Sequence, residues 1–164
     1  MLKNLFKRAP DPSLPLYEAI VAAARQKHFY LNEGVPDTID GRFDMLVLHL
    51  SLVIARLKGE KAEFRQALVN RFCVDMDDNL REIGASDIAV GKKVRRMAEA
   101  FQGRYAAYEA ALDQAALVEA LTRNVYAGKE NKGAKSLALY VTGARDKLTE
   151  QDSDAIMSGQ VVFS

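Results

Sequence analysis

The residues Thr38–Leu57, TIDGRFDMLVLHLSLVIARL, indicate a helical fold, because their apolar side chains recur with helical period on two faces of one helix. The main row consists of Phe43, Leu46, Val47, Leu50, Ile54 and Leu57, and a second row on the far side consists of Met45, Leu48 and Leu52. A helix that is apolar on two faces either lies at the centre of a bundle or is half covered by a partner. Both arrangements are compatible with this pattern.

The segments on either side of this helix also have apolar residues at helical spacing. From residue 13 onward the apolar residues follow helical period with almost no alternation, and all four prolines precede residue 37. The pattern predicts an all-α fold, a single compact bundle of about six helices near residues 13–30, 38–57, 60–83, 86–112, 114–126 and 134–148. We expect a helical domain over residues 13–150, a flexible N-terminal tail at 1–12 and a C-terminal tail at 151–164, of which Val161, Val162 and Phe163 could dock.

Two glycines interrupt the predicted fourth helix. Gly91 and Gly103 stand among good helix formers, where glycine costs about 1 kcal/mol relative to alanine. We expect close packing against a neighbouring helix at both positions. Gly84, by contrast, follows the predicted third helix and is expected to end it in a left-handed conformation.

Composition and charge exclude several classes of protein. The chain has 164 residues, of which 49% are hydrophobic and 27% charged, with a net charge of +1. Because a net charge this close to zero gives no long-range electrostatic attraction for polyanions, a stable nucleic-acid complex is not expected. The single cysteine, Cys73, excludes an intrachain disulfide and a multi-cysteine metal site, and its apolar neighbours predict a residue in or near the core.

The termini and the longest apolar run bear on localisation. The run Met45–Ala55 is well short of the roughly 20 residues that a spanning helix needs. Three early prolines interrupt any signal-peptide segment, so we expect a cytoplasmic protein. Leu2, Leu5 and Phe6, with Lys3 and Lys7, suggest a peripheral contact with the inner face of the cytoplasmic membrane.

The acidic segment VDMDDNLREIG, residues 74–84, could indicate a metal site, a catalytic cluster or a binding surface. Helical period places Asp75, Asp78 and Glu82 on one side and the apolar residues on the other. An EF-hand loop would need glycine where Leu80 stands and glutamate at position 86, which is serine. Asp77 precedes Arg81 by four residues, which favours an ion pair within the helix. The segment therefore predicts an amphipathic helix with no metal.

No catalytic motif or cofactor motif accompanies this segment, so we predict no enzyme activity and no cofactor. His49 is the remaining candidate for haem or metal. It has no second histidine or carboxylate beside it at helical spacing, which favours a hydrogen-bonded interior or boundary histidine.

The basic segment GKKVRRMAEAFQGR, residues 91–104, complements the acidic one. Lys93 and Arg104 lie beside the apolar seam of the fourth helix, where an unpaired charge would be costly. Because a short break at Ala85 and Ser86 makes the third and fourth helices an antiparallel pair, we expect structural ion pairs from these cations to Asp75 and Asp78. Three further cations project outward and are free for an acidic partner or RNA phosphates: Lys92, Arg95 and Arg96.

Three long segments and one short one carry a resemblance to a known family. They are GVPDTIDGRFDMLVLHLSLVIARL at 34–57, DMDDNLREIGASDIAVGKKV at 75–94, FQGRYAAYEAAL at 101–112 and RNVY at 123–126. In order and spacing they resemble the ubiquinol to cytochrome c reductase chaperone family over about residues 31–127.

The resemblance implies an all-helical, non-enzymatic assembly factor for complex III of the respiratory chain, without catalytic residues. Mitochondrial members bind newly made cytochrome b, together with a small partner chaperone, near the ribosome's tunnel exit. This chain shows no transit sequence and looks like a bacterial relative. Nascent or unassembled cytochrome b is therefore the expected partner, while a ribosome contact and a co-chaperone remain open.

We expect the partner-binding surface to combine apolar side chains with charged guides. It comprises the loop and helix start at Val35, Pro36, Asp37, Asp40 and Arg42, the second row Met45, Leu48 and Leu52, and the charged residues Asp77, Asp78, Arg81, Lys92, Arg95 and Arg96. The alternatives are an RNA-binding or ribosome-binding module that uses the same cations and a haem-handling or metal-handling protein that uses His49.

Overall fold

The computed structural model describes residues 10–164 of the chain, which form eight helices and no strand. These are α1 (Leu14–Ala24), α2 (Lys27–Leu31), α3 (Ile39–Arg56), α4 (Ala62–Glu82), α5 (Asp87–Ala110), α6 (Gln114–Val125), α7 (Gly133–Glu150) and α8 (Ser153–Met157). The predicted all-α bundle is confirmed. The number of helices exceeds the predicted six, because the first predicted helix is divided and the C-terminal segment contains α8.

The centre of the bundle is α3, against which α1, α5, α6 and α7 all pack. Its second apolar row is buried, since Met45, Leu48 and Leu52 are at most 4% exposed. Of the two arrangements that the sequence allowed, the structure has the central one. The prediction that these residues form an exposed binding row is therefore wrong, because neighbouring helices of the same chain cover both faces of α3.

The acidic and basic helices, α4 and α5, form an antiparallel hairpin. Gly84 adopts the predicted left-handed conformation, with φ of +85°, and ends α4. Phe72 of α4 packs on Phe101 of α5 with their ring centroids 5.7 Å apart, so the apolar seams of the two helices meet.

The first predicted helix breaks after Ala24. Gln26 is extended, with ψ of 130°, and the hydroxyl of Tyr30 donates a 2.9 Å hydrogen bond to the carbonyl of Ala24 at the end of α1. The break turns Phe29 fully inward, where its ring lies 4.9 Å from that of Tyr140 on α7. Aromatic burial therefore compensates for the interrupted helix.

The C-terminal segment packs on the bundle. Phe163 is buried, and its ring lies edge-on to His49 with a centroid distance of 5.0 Å. The side-chain amide of Gln151 both donates to and accepts from the backbone of Val162, at 2.7 and 2.8 Å. Residues 151–164 are thus part of the packed domain. The suggested membrane contact at Leu2, Leu5 and Phe6, with the start of the N-terminal tail, lies outside the described residues.

Glycine has two different roles in this fold. A Cβ on Gly41 would lie 1.9 Å from the carbonyl oxygen of Pro36, so the loop before α3 folds tightly onto the first turn of that helix. A Cβ on Gly91 or Gly103 would meet nothing within 4 Å. The prediction of close packing at these two α5 glycines is wrong, because both lie on its outer surface. Within residues 10–164, no helix combines the length and apolarity needed to cross a bilayer.

Candidate functional site

A groove of about 280 Å³ opens between α1, the start of α3, the second half of α4 and α5. We call it the apolar groove. Its apolar lining includes Val21, Phe43, Leu46, Met76, Leu80, Ile83 and Met97, and its polar rim contains Arg25, Arg42, Asp75, Asn79 and Glu82. Such a lining binds apolar side chains, while the rim keeps the groove hydrated when it is empty.

A second cavity, of about 500 Å³, adjoins the first and shares Ile39, Phe43 and Met97 with it. We call it the arginine pocket, because three arginines of α5 and α6 line it: Arg96, Arg104 and Arg123. Asp40 and Asp44 of α3 also lie in its wall. The two cavities are therefore adjacent, one apolar and the other charged, and we call them together the depression.

Two isoleucines stand exposed where they line this depression. Ile39 is 76% exposed and Ile83 is 69% exposed, although both are large apolar residues. Exposed apolar side chains beside a groove are typical of a surface that binds another molecule. No residue within this chain's described part covers them.

A hydrogen bond between α1 and α4 fixes one wall of the apolar groove. The hydroxyl of Tyr17, a residue only 3% exposed, donates to Oδ2 of Asp75 at 2.7 Å. Burial, followed by the hydrogen bond to Asp75, raises the pKa of Tyr17 well above its ordinary value. The phenol therefore stays protonated and holds the carboxylate at the rim.

A nearly buried ion pair fixes the floor of the arginine pocket. Nη2 of Arg104 lies 2.8 Å from Oδ1 of Asp44, and the Arg104 guanidinium stands 5.6 Å above the ring centroid of Phe43. Burial raises the pKa of Asp44 to about 6, against the opposing effect of Arg104. Arg104 is thus held in place by α3, and the pair links the two cavities through Phe43.

The structural ion pairs predicted between α4 and α5 are wrong. Arg104 pairs with Asp44 rather than with an α4 carboxylate, and Lys93 is exposed. Asp75 accepts from Tyr17, while Asp78 lies 3.7 Å from Arg71 of its own helix. The physical reason is the rotation of α5 about its axis, which points Arg104 at α3 and Lys93 at solvent.

The structure brings together some of the predicted binding residues and separates others. Pro36, Asp40, Arg42 and Arg96 line the depression, and Asp37 lies beside it in an ion pair with Arg42 at 2.8 Å. Val35 is buried, at 2% exposure, and its proposed role in direct contact is wrong because its side chain belongs to the core.

The remaining predicted charges lie outside the two cavities. The predicted pair within α4 is confirmed, since Nε of Arg81 lies 2.6 Å from Oδ2 of Asp77. Arg81 also pairs with Asp87 at the start of α5, and its hydrogen bonds to Asp77 and Asp87 raise the pKa of Arg81 above its ordinary value. Lys92 and Arg95 are exposed on the outer face of α5.

Comparison with known proteins places this architecture. The sequence model of one protein family, described as ubiquinol-cytochrome C chaperone, matches residues 32–163 of this chain. These residues include every helix from α3 to α8. The chain belongs to the ubiquinol-cytochrome C chaperone family. The match includes α3 to α6, which supply most of the lining of the depression, and the C-terminal segment that packs on His49.

Two relatives support this membership. The chain is 23% identical over 160 residues to ubiquinol-cytochrome-c reductase complex assembly factor 1 of Xenopus laevis, covering 92% of this chain and 80% of that protein. It is 43% identical to the Cbp3 homolog from Brucella abortus, whose crystal structure matches with a TM-score of 0.81 over 92% of this chain and 87% of the other. The ubiquinol-cytochrome C chaperone fold therefore covers nearly all of the chain.

Four residues at the depression of this chaperone were missed by the sequence reasoning. They are the exposed Ile39 and Ile83, the shared Met97 and the pocket residue Arg123. Helical spacing after Met76 and Leu80 places Ile83 on the apolar side of this helix, which predicts burial. Ile83 lies at the C-cap of α4, where the chain leaves the helix, and this position at a helix end was the one sequence feature that indicated exposure.

His49 of this family member is a structural residue. It is fully buried, with Nδ1 2.8 Å from the Met45 carbonyl oxygen and Nε2 2.8 Å from the Tyr140 hydroxyl. The predicted hydrogen-bonded interior histidine is confirmed. A metal or haem iron could bind His49 only by displacing one of these partners. Among residues 10–164, no three His, Cys, Asp or Glu side chains are grouped so that they could hold a metal ion.

Proposed function

We propose that the protein is a non-enzymatic assembly chaperone for ubiquinol to cytochrome c reductase, respiratory complex III, and that it binds unassembled cytochrome b. Membership in the ubiquinol-cytochrome C chaperone family and similarity to a complex III assembly factor from Xenopus laevis support the role in assembly. Cytochrome b as the client follows from the family resemblance of the sequence.

The observation that carries this proposal is the apolar groove with its exposed isoleucines, Ile39 and Ile83. An unassembled membrane protein exposes apolar segments beside charged loops. A chaperone for such a client needs an open apolar groove with charged residues at its edges. The depression between α1, α3, α4 and α5 has both features.

The proposed binding surface differs from the sequence prediction in its apolar part. Ile39, Phe43, Ile83 and Met97 replace the buried row of α3. Five predicted residues remain in the proposed surface. Pro36, Asp40, Arg42 and Arg96 line the depression, and Asp37 pairs with Arg42 beside it. We assign an outer guiding role toward charged client loops to Asp77, Asp78, Arg81, Lys92 and Arg95. This binding mode requires neither a ribosome contact nor a second chaperone.

A pull-down with matched isoleucine and leucine variants tests the proposal. The tagged protein is recovered from cells that are making complex III, and unassembled cytochrome b is measured by immunoblot. We expect Ile83→Asp to reduce capture at least tenfold, because a carboxylate in the groove opposes burial of apolar side chains. Leu139→Asp is the control, since Leu139 is 66% exposed on α7, away from the groove. Equal capture by the two variants would exclude the groove as the binding site.

We also propose a cytoplasmic location with peripheral contact at the inner face of the membrane through Leu2, Leu5 and Phe6. Apolar side chains flanked by lysines support such contact, and each signal alone gives weak, reversible binding. Flotation with vesicles that contain phosphatidylglycerol, with and without residues 1–9, measures it. Unchanged flotation after the deletion would contradict this contact.

A further inference from the structure

Two of the three arginines in the arginine pocket have no anionic partner within residues 10–164. Arg104 is paired with Asp44, whereas Arg96 and Arg123 take part in none of the ion pairs of the described chain. Both line the pocket, and both side chains are exposed. They come from different helices, α5 and α6, so the fold brings together two guanidinium groups that are free to bind an anion.

We propose that the arginine pocket binds a carboxylate of the same polypeptide segment whose apolar side chains occupy the apolar groove. The inference rests on the proposed chaperone function and specifies its client further. The recognised segment is an apolar stretch with an adjacent Asp or Glu.

The shared lining of the two cavities supports one occupant. Ile39, Phe43 and Met97 belong to the lining of both, so a segment that crosses them contacts the two cavities in turn. The first turn of α3, an 18-residue helix, also lines the arginine pocket at Asp40 and Gly41. The positive end of the helix dipole adds to the attraction for an anionic side chain there.

The charges of the pocket favour a single carboxylate over a polyanion. Arg96 and Arg123 can each form a bidentate pair with a carboxylate, which is the strongest geometry for such recognition. Asp40 and Asp44 lie in the same wall and would repel a dense array of phosphates. A flat lipid surface also fits a concave pocket poorly. A peptide side chain matches both the shape and the small excess of positive charge.

A pair of peptides that differ only in charge tests the inference. The probes are a short fluorescent peptide of leucine and alanine ending in two glutamates and its twin ending in two glutamines. We expect the wild-type protein to bind the glutamate peptide about tenfold more tightly at low salt. The double variant Arg96→Gln, Arg123→Gln should bind both peptides equally, because it removes the two guanidinium groups that distinguish a glutamate from a glutamine.

Lys93→Gln is the matched control, because Lys93 lies on the same helix as Arg96 but is exposed to solvent and lines neither cavity. Its preference for glutamate should equal that of the wild type. A double variant that keeps the preference overturns the inference. A wild-type protein that shows no preference for the glutamate peptide also overturns the inference. In that case, a need for the two arginines in flotation with phosphatidylglycerol vesicles or in RNA binding would identify a different ligand.

The client experiment separates this inference from the proposed function. If the wild type fails to capture cytochrome b, the proposed function is wrong whatever the peptides show. If the wild type captures cytochrome b and the double variant captures it equally well while keeping the glutamate preference, only the arginine assignment fails.

Discussion

Nε2 of His49 on α3 lies 2.8 Å from the hydroxyl oxygen of Tyr140 on α7. The other ring nitrogen, Nδ1, lies 2.8 Å from the carbonyl oxygen of Met45, which can only accept a hydrogen bond. The neutral ring therefore carries its proton on Nδ1, and Nε2 accepts from Tyr140. This arrangement joins two helices in the core, and burial of the ring favours the neutral imidazole.

The first prediction concerns the pH dependence that follows from this bond. Burial lowers the pKa of His49 from 6.5 to about 4. Because the folded pKa is lower than the unfolded one, the stabilisation is present above pH 6.5 and is lost as the pH falls toward 4. In urea unfolding, the wild type should lose about 3 kcal/mol more than His49→Gln between pH 7 and pH 4. Parallel profiles for the two proteins would contradict the assignment.

The second prediction has the opposite sign and concerns Asp44. Burial raises its pKa from 3.8 to about 6, so the protonated form stabilises the fold below pH 4 and that contribution is lost as the pH rises through 6. Between pH 4 and pH 7 the wild type should lose about 2 kcal/mol relative to Asp44→Asn. Asp78→Asn, which changes an exposed carboxylate, is the control and should follow the wild type. A difference in the free energy of unfolding between the wild type and Asp44→Asn that does not change with pH would contradict the prediction.

The third prediction contrasts two glycines that precede arginine, Gly41 and Gly103. Gly41→Ala should destabilise the protein by about 2 kcal/mol or more, because its Cβ would lie 1.9 Å from the Pro36 carbonyl oxygen and the loop must move. Gly103→Ala should stabilise it by about 0.5–1 kcal/mol, since the space beside this helical glycine is open. Thermal unfolding monitored by circular dichroism measures both. A destabilised Gly103→Ala would show that α5 is covered at that point.

The fourth prediction concerns the C-terminal segment. Phe163→Ala should lower the free energy of unfolding by about 3 kcal/mol, because the ring is 6% exposed and packs on His49. Val162→Ala should change it by less than about 0.5 kcal/mol, since Val162 is 52% exposed. Guanidinium unfolding of the full chain compares them. Equal effects would mean that residues 161–164 are not anchored through Phe163.

Local signals predicted most of the helix ends. Asp113 caps α6 by accepting from the backbone N–H of Ala116 at 2.8 Å, and an aspartate directly before an apolar helical period is a recognisable N-cap. Gly84 ends α4, and α3 begins and ends within one residue of its predicted bounds. Caps and helical period act over a few residues, so they can be recognised in the sequence alone. The break after Ala24 depends on a contact between Phe29 and the distant Tyr140 and could not be found in this way.

The candidate site was only partly predictable. Periodicity shows that Arg104 lies beside an apolar seam, and it correctly implied an anionic partner. It does not show whether that partner belongs to α4 or α3, because the answer depends on the rotation of α5 between two neighbours. The same rotation places Arg96 at a cavity and leaves Lys92 and Arg95 on the outer face.

The sequence alone thus specified an all-α chain, the approximate bounds of its main helices, the interior position of His49 and a resemblance to the complex III chaperones, because propensity, capping and periodicity are local properties. Tertiary packing determined which face of each helix is buried and which is exposed. It buried Met45, Leu48 and Leu52 at the centre of the bundle and left Ile39 and Ile83 exposed at a groove. A side chain's exposure depends on which other helices cover it, and those contacts join residues far apart in the chain.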